Sequence, residues 1–184
     1  MSDMKRLLFA ASVLVLLASC DKKAQLPSNK YAVVDSTPQK IMEMNTMLGD
    51  MEEEDIKKYT ENSGKDFRVT GTGVRIWIQP KDDKAKGDSV RYGDLLEVNY
   101  RVKLTDGTVL YDLTGRDADV IEVGKERRQT GFAEGLTNLR VGDRAIIVVP
   151  SILAYGALGD REKIPPRATL VYDVISVAKT SRNR

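Results

Sequence analysis

Pro150-Ser-Ile-Leu-Ala-Tyr155-Gly-Ala-Leu-Gly159-Asp-Arg-Glu-Lys-Ile164-Pro-Pro166-Arg-Ala-Thr169-Leu170-Val-Tyr172-Asp-Val-Ile-Ser-Val177 is the stretch on which the fold turns. Its first part reads as loop. Gly156 and Gly159 allow backbone angles that other residues avoid, and Pro165-Pro166 stiffens the exit. Residues 170–177 are almost continuously branched or aromatic and hold no Gly or Pro, which reads as a buried strand. A long loop carrying Leu153, Tyr155 and Ile164, tied to such a strand, reads as a lip over an apolar cup.

Working outward, residues 144–149 form a strand apolar on both faces, with Ala145, Ile147 and Val149 on one and Ile146 and Val148 on the other. Before it, residues 131–139 make a short helix with Phe132, Leu136 and Leu139 inward. Residues 94–104 show the cleanest alternation in the chain: Leu96, Val98, Tyr100, Val102 and Leu104 against Glu97, Asn99, Arg101 and Lys103. Thr105-Asp106-Gly107 signals a hairpin into a strand at 109–113, and 120–123 is a short strand. Residues 67–79 read as one strand interrupted at Gly71 and Gly73. Hairpin-joined strands with one inserted helix predict an antiparallel α+β domain of about five strands over residues 65–179.

The N-terminal third differs in character. Lys5-Arg6 followed by an apolar run at 7–17, too short to span a bilayer, reads as a signal peptide over residues 1–19. Leu17-Ala18-Ser19-Cys20 resembles the bacterial lipobox, in which the cysteine is acylated; the alternative is an ordinary secretory signal with an incidental Cys. Acyl chains hold a protein to a membrane at about 0.8 kcal/mol per buried methylene. Residues 20–36 read as the lipidated Cys and a flexible tether. Thr37-Pro38 opens a helical segment, 37–64, with Ile41, Met44, Leu48 and Met51 at helical spacing and a charged second half. Its methionine face could pair with a partner or a second copy, or pack on the domain. Residues 180–184 are a basic tail.

Composition excludes several chemistries. The 184 residues include no histidine, which removes Ser-His-Asp and Cys-His arrangements, and a lone Cys cannot supply a common zinc site. Lys+Arg number 29 against 27 Asp+Glu, with no basic stripe of the kind nucleic acid selects. No cofactor is called for.

Ala154-Tyr155-Gly156 and the run 164–174 resemble the C-terminal half of FKBP-type peptidyl-prolyl isomerases. Gly131-Phe132-Ala133-Glu134-Gly135-Leu136, Val141-Gly142-Asp143-Arg144-Ala145, Val98-Asn99-Tyr100 and Asp106-Gly107-Thr108 fall in that family's order over about residues 71–179. The loop variant with Gly159-Asp160 and Lys163-Ile164-Pro165-Pro166 looks most like envelope lipoprotein isomerases of gliding bacteria. The resemblance implies a twisted antiparallel sheet wrapped around one short helix. It also implies catalysis by Tyr100, Tyr111, Asp112, Phe132, Tyr155, Ile164 and Tyr172, with Gln129 and Leu153 binding substrate. Tyr100, Phe132 and Tyr172 would form walls and floor, Tyr155 would offer its hydroxyl to the substrate carbonyl, and Ile164 would close one side. Read without the resemblance, Tyr100, Phe132 and Tyr172 suit plain core packing better than a pocket.

Some positions depart from the family pattern. Phe132 stands where many members carry Trp, Arg128 and Gln129 replace apolar residues, and Asp119 falls near a position usually aromatic. The Leu110-Tyr111-Asp112 segment is one residue longer than the usual aromatic-Asp pair, which matches either Tyr111-Asp112 or Leu110-Tyr111. The function implied is a lipid-anchored isomerase in the bacterial envelope that helps exported proteins fold. The alternative is a non-catalytic proline-peptide binding or chaperone module on the same fold.

Overall fold

The strict alternation of residues 95–103 makes the strand from which the sheet is built outward. In the computed structural model, which describes residues 37–81, 87–115, 118–125 and 130–180, this strand is β3 (Leu95–Lys103). The expected leader, Cys20, the tether, Gln129 and residues 181–184 lie outside the described residues.

Along one side β3 pairs β7 (Leu170–Lys179), which pairs β6 (Ala145–Val149), then β2 (Arg75–Ile78) and β1 (Arg68–Val69), all antiparallel. Its other side is shared. β4 (Val109–Leu113) pairs the Tyr100–Lys103 half, and β5 (Asp119–Glu122) pairs the Leu95–Val98 half. Seven strands replace the expected five or so. The run at 67–79 is a hairpin, not one strand: Gly73 takes φ +96° and donates to the Thr70 carbonyl, turning β1 back onto β2.

Register decides which side chains share a face, because side chains alternate strictly along a strand. Val102 lies opposite Tyr172, Tyr172 opposite Ile147, and Ile147 opposite Ile76. These four line the inner face, where the short helix α2 (Thr130–Thr137) packs. Two glycines of α2 allow it to come close. A Cβ on Gly135 would stand 2.5 Å from Ile147 Cγ2, and one on Gly131 2.4 Å from Val149 Cγ1.

The outer face carries the other half of the strand alternation. Val148 and Val171 bury there against Ile56, with Tyr59, Phe67 and Ile146 around them. Ile56 belongs to the N-terminal helix α1 (Pro38–Asn62), and Glu53 beside it pairs with the buried Arg75. Around Ile56 the helix docks on the sheet, whereas Met42, Met44, Met47 and Met51 are exposed. Among the described residues no helix is long and apolar enough to cross a membrane.

Candidate active site

Three aromatic rings meet on the inner face. The alternation of β3 and β7 turns Tyr100 and Tyr172 inward, and the helical spacing of α2 aims Phe132 at them. The Phe132 and Tyr172 rings stack with centroids 4.0 Å apart and planes 11° from parallel. Tyr100 tilts against both, at 4.9 Å from Phe132 and 5.9 Å from Tyr172. Such close aromatic packing is worth about 0.5–1.5 kcal/mol per pair beyond burial.

The floor is apolar in its walls and polar at two points. The Tyr100 hydroxyl donates to Asp119 Oδ2 at 2.9 Å. Burial pushes the Tyr100 phenol far above its ordinary value, and the Asp119 charge and hydrogen bond push it further. Burial, then Tyr155, does the same to Tyr172. Both phenols therefore stay protonated, able to donate, across the whole physiological range.

Over the floor lies the lip, residues 150–169. Two 3-10 turns, Ser151–Leu153 and Gly156–Leu158, flank Tyr155, which sits at φ −97° and ψ 0°. That sparsely allowed region is where many active-site residues are found. Gly159, at φ +63°, closes the loop so tightly that a Cβ would lie 2.0 Å from the Ile164 carbonyl oxygen. Asp160 then gathers the turn. Its Oδ1 accepts from the backbone N–H of Glu162 at 2.9 Å, Lys163 at 3.0 Å and Ile164 at 2.8 Å, and Oδ2 accepts from the Tyr111 hydroxyl at 2.5 Å.

These contacts set the charges of the lip. Burial would raise the Asp160 carboxyl, but the Tyr111 hydroxyl and three backbone N–H groups outweigh it and hold Asp160 below the usual carboxylate range. The same hydrogen bond, helped by burial, leaves the Tyr111 phenol pushed up to about 12. Lys163 lies 4.9 Å above the Tyr111 ring centre. Tyr155 acts electrostatically on Tyr100, Tyr111 and Tyr172 alike, so the four phenols share one neighbourhood. A cavity of about 310 Å³ opens beside Tyr155, bounded by Leu158, Asp160 and Arg161; Tyr100, Phe132 and Tyr172, expected as its walls and floor, do not line it and are packed beneath, each at most 3 % exposed.

Tyr100, Tyr111, Phe132, Leu153, Tyr155, Ile164 and Tyr172 all join one apolar cluster, with Ile164 only 4 % exposed. Asp112 does not. It is exposed on the outer face, where it accepts from Arg101 Nε at 3.0 Å and from Thr114 Oγ1 at 2.7 Å. The extra residue in this segment explains why. Val102 pairs Tyr111 while Lys103 pairs Val109, so Leu110 is a bulge. Below the bulge Tyr111 shares the inner face with Val102, and its neighbour Asp112 must point the other way. The carboxylate on Tyr100 comes instead from Asp119 of β5, a residue sequence reasoning assigned no role. Its one signal was an acid standing near a usually aromatic position.

The fold and site define a class: an antiparallel sheet curled on one helix, with three buried aromatic rings packed beneath a long loop that carries Tyr155. Comparison with known proteins makes the class specific. The family model described as FKBP-type peptidyl-prolyl cis-trans isomerase matches residues 87–175. The chain is 42% identical over 109 residues to peptidyl-prolyl cis-trans isomerase FKBP15-1 of Arabidopsis thaliana, covering 58% of this chain and 70% of that one. It is 32% identical over 110 residues to peptidyl-prolyl cis-trans isomerase FKBP11 of Bos taurus, covering 60% of this chain and 53% of the relative. The crystal structure of FkpA from Escherichia coli superposes with a TM-score of 0.58 at 24% identity, covering 77% of this chain and 66% of that one, a likeness of fold. This chain belongs to the FKBP-type peptidyl-prolyl cis-trans isomerase family. It spans about half the length of the bovine relative and 70% of the plant one.

Proposed function

We propose that this protein turns peptide bonds preceding proline between cis and trans in exported proteins, held to a bacterial envelope membrane by a lipid on Cys20. The observation that carries the reaction is the stacked Phe132–Tyr172 floor with Tyr100 and Tyr155 beside it. Rotation about an X–Pro bond passes through a twisted amide over a barrier of about 20 kcal/mol, and no bond breaks. The twisted amide has lost resonance. Its carbonyl is less polarised than the planar ground state and loses less on leaving water. A cup that seats the proline ring on apolar rings and excludes water therefore favours the twisted form. The Tyr100 and Tyr111 hydroxyls are committed to Asp119 and Asp160, so the donor that orients the carbonyl is assigned to the hydroxyl of Tyr155 on the lip.

Uncatalysed isomerisation takes tens of seconds or longer, which is slow for a chain folding after export. The lipobox resemblance of residues 17–20, together with the loop variant at 159–166, supports the envelope and the lipid anchor, in the manner of lipoprotein isomerases of gliding bacteria. The exposed methionines of α1 support self-association through that helix. Sedimentation of residues 21–184 with and without 37–64 tests it, and a monomer in both cases removes it.

The decisive experiment is proline-limited refolding of a client protein with residues 21–184 added. Acceleration at micromolar concentration, lost in Tyr155→Phe combined with Phe132→Ala, assigns isomerisation to the cup. No acceleration leaves the second reading, a module that binds proline segments without turnover. The outward-facing Asp112 favours that reading.

A further inference from the structure

Helix α1 touches more than the back of the sheet. Asn45, Glu52 and Ile56 lie on one stripe of it, spaced seven and four residues apart. Ile56 fills the outer apolar cluster. Glu52, half-buried, reaches the lip: its Oε1 accepts from the Ser151 backbone N–H at 2.6 Å and from Thr169 Oγ1 at 2.6 Å, and its Oε2 accepts from Ser151 Oγ at 2.8 Å. Ser151 stands two residues after β6 and Thr169 directly before β7, and both are buried. One carboxylate thus joins the two feet of the 150–169 loop. Asn45 Oδ1 takes a third hold, accepting from Arg167 Nη2 at 2.8 Å, while the Arg167 backbone N–H donates to the Gly156 carbonyl at 2.8 Å. That last bond crosses the loop to the residue beside Tyr155.

The β6–β7 ladder brings the loop's ends together at Val149 and Leu170, but beyond it the loop has only two single turns of its own, and long loops are where alternative conformations arise, so further pins select one. The three hydrogen bonds to Glu52 come from uncharged donors, so they cost less to desolvate than a buried ion pair and still gain from the acceptor's charge. Their targets are loop residues and no others.

We propose that Glu52 is a positioning residue: α1 braces the lip from outside the cup and thereby sets Tyr155 and Ile164 for turnover. This rests on the isomerase reading above. It makes the N-terminal helix a working part of the catalytic unit. Moving a positioning group by about 1 Å costs up to about 100-fold in rate.

The test compares Glu52→Ala, Glu52→Gln and Ile56→Val in residues 21–184, with a chromogenic Ala-Leu-Pro-Phe tetrapeptide as substrate and hydrogen exchange as the second readout. Glu52→Ala is expected to lower kcat/KM between about 10- and 100-fold. It also speeds exchange at Ser151, Ile164 and Arg167 while amides of β3 and β7 keep their protection. Glu52→Gln retains most activity, because its carbonyl can accept both Oε1 bonds and its amide can donate to Ser151 Oγ. Ile56→Val trims the apolar anchor of α1 by one carbon and leaves all three Glu52 hydrogen bonds in place, so its loss of kcat/KM is expected to be small beside that of Glu52→Ala. The brace is overturned if Glu52→Ala matches the parent in activity, if its loop amides stay protected, or if sheet and loop amides speed up together. A parent chain without turnover would instead remove the isomerase reading, and loop exchange alone would then decide whether Glu52 braces the lip.

Discussion

The two faces of the sheet are covered by helices in opposite ways. On the inner face α2 is driven in by apolar fit: its glycines approach Ile147 and Val149, and Phe132 stacks on Tyr172. On the outer face α1 has one fully buried apolar residue, Ile56, with Tyr59 packed beside it, and is further held by polar pins from Asn45, Glu52 and Glu53. Apolar fit suits a face that must exclude water. Polar pins suit a face whose task is to hold a loop at chosen points, because hydrogen bonds are directional and apolar contacts are not.

Phe132 and Ile56 are each 1 % exposed, so they offer a matched test of that contrast. Phe132→Ala is expected to destabilise the domain by about 4 kcal/mol and to abolish turnover, read by urea unfolding and by the tetrapeptide assay. Ile56→Ala is expected to cost about 3 kcal/mol while the folded fraction keeps most of its kcat, because the pins from Asn45, Glu52 and Glu53 still hold the helix. If turnover survives Phe132→Ala, the inner face is only a core. If Ile56→Ala loses turnover out of proportion to unfolding, the outer face acts by more than its pins.

The acids of β4 and β5 sharpen the same contrast. Asp119→Ala strips the buried Tyr100 hydroxyl of its acceptor, and is expected to cost about 1–3 kcal/mol and to lower kcat/KM. Asp112→Ala, on the outer face, removes an exposed pair with Arg101 that is worth about 0–1 kcal/mol, and leaves kcat/KM unchanged. Equal losses in the two variants would contradict the assignment of Asp119 to the cup.

The smallest effect concerns pH. Asp160 titrates lower in the fold than in the unfolded chain, so its stabilisation is complete above about pH 4 and is lost as pH falls through the lower folded value. Protonation releases the N–H groups of Glu162, Lys163 and Ile164. Acid is therefore expected to loosen the lip, seen as faster exchange at Ile164, and Asp160→Asn should blunt that pH dependence.

Much of this architecture was legible beforehand. The alternation of residues 95–103, the two-sided apolar strand at 145–149 and the glycine-containing helix at 130–137 each state their own burial, since a period of two or 3.6 declares which side is dry. The convergence of Tyr100, Phe132, Tyr155, Ile164 and Tyr172 followed from motif order. Asp112 and Asp119 were not legible. A single bulge at Leu110 turns Asp112 outward, and nothing in the sequence marks which strand absorbs the extra residue. The hairpin at Gly73 was hidden for a similar reason: a glycine in a strand-like run signals a bulge as readily as a reversal.

The chain's own pattern of apolar and polar residues determined the strands and the short helix, because those depend on neighbours a few residues apart, and its ordered motifs carried the resemblance to the family. Tertiary structure alone decided which carboxylate meets Tyr100, and that Glu52 reaches Ser151 and Thr169 roughly a hundred residues away. Those partners are joined by register and helix docking, which act over distances that local periodicity does not encode.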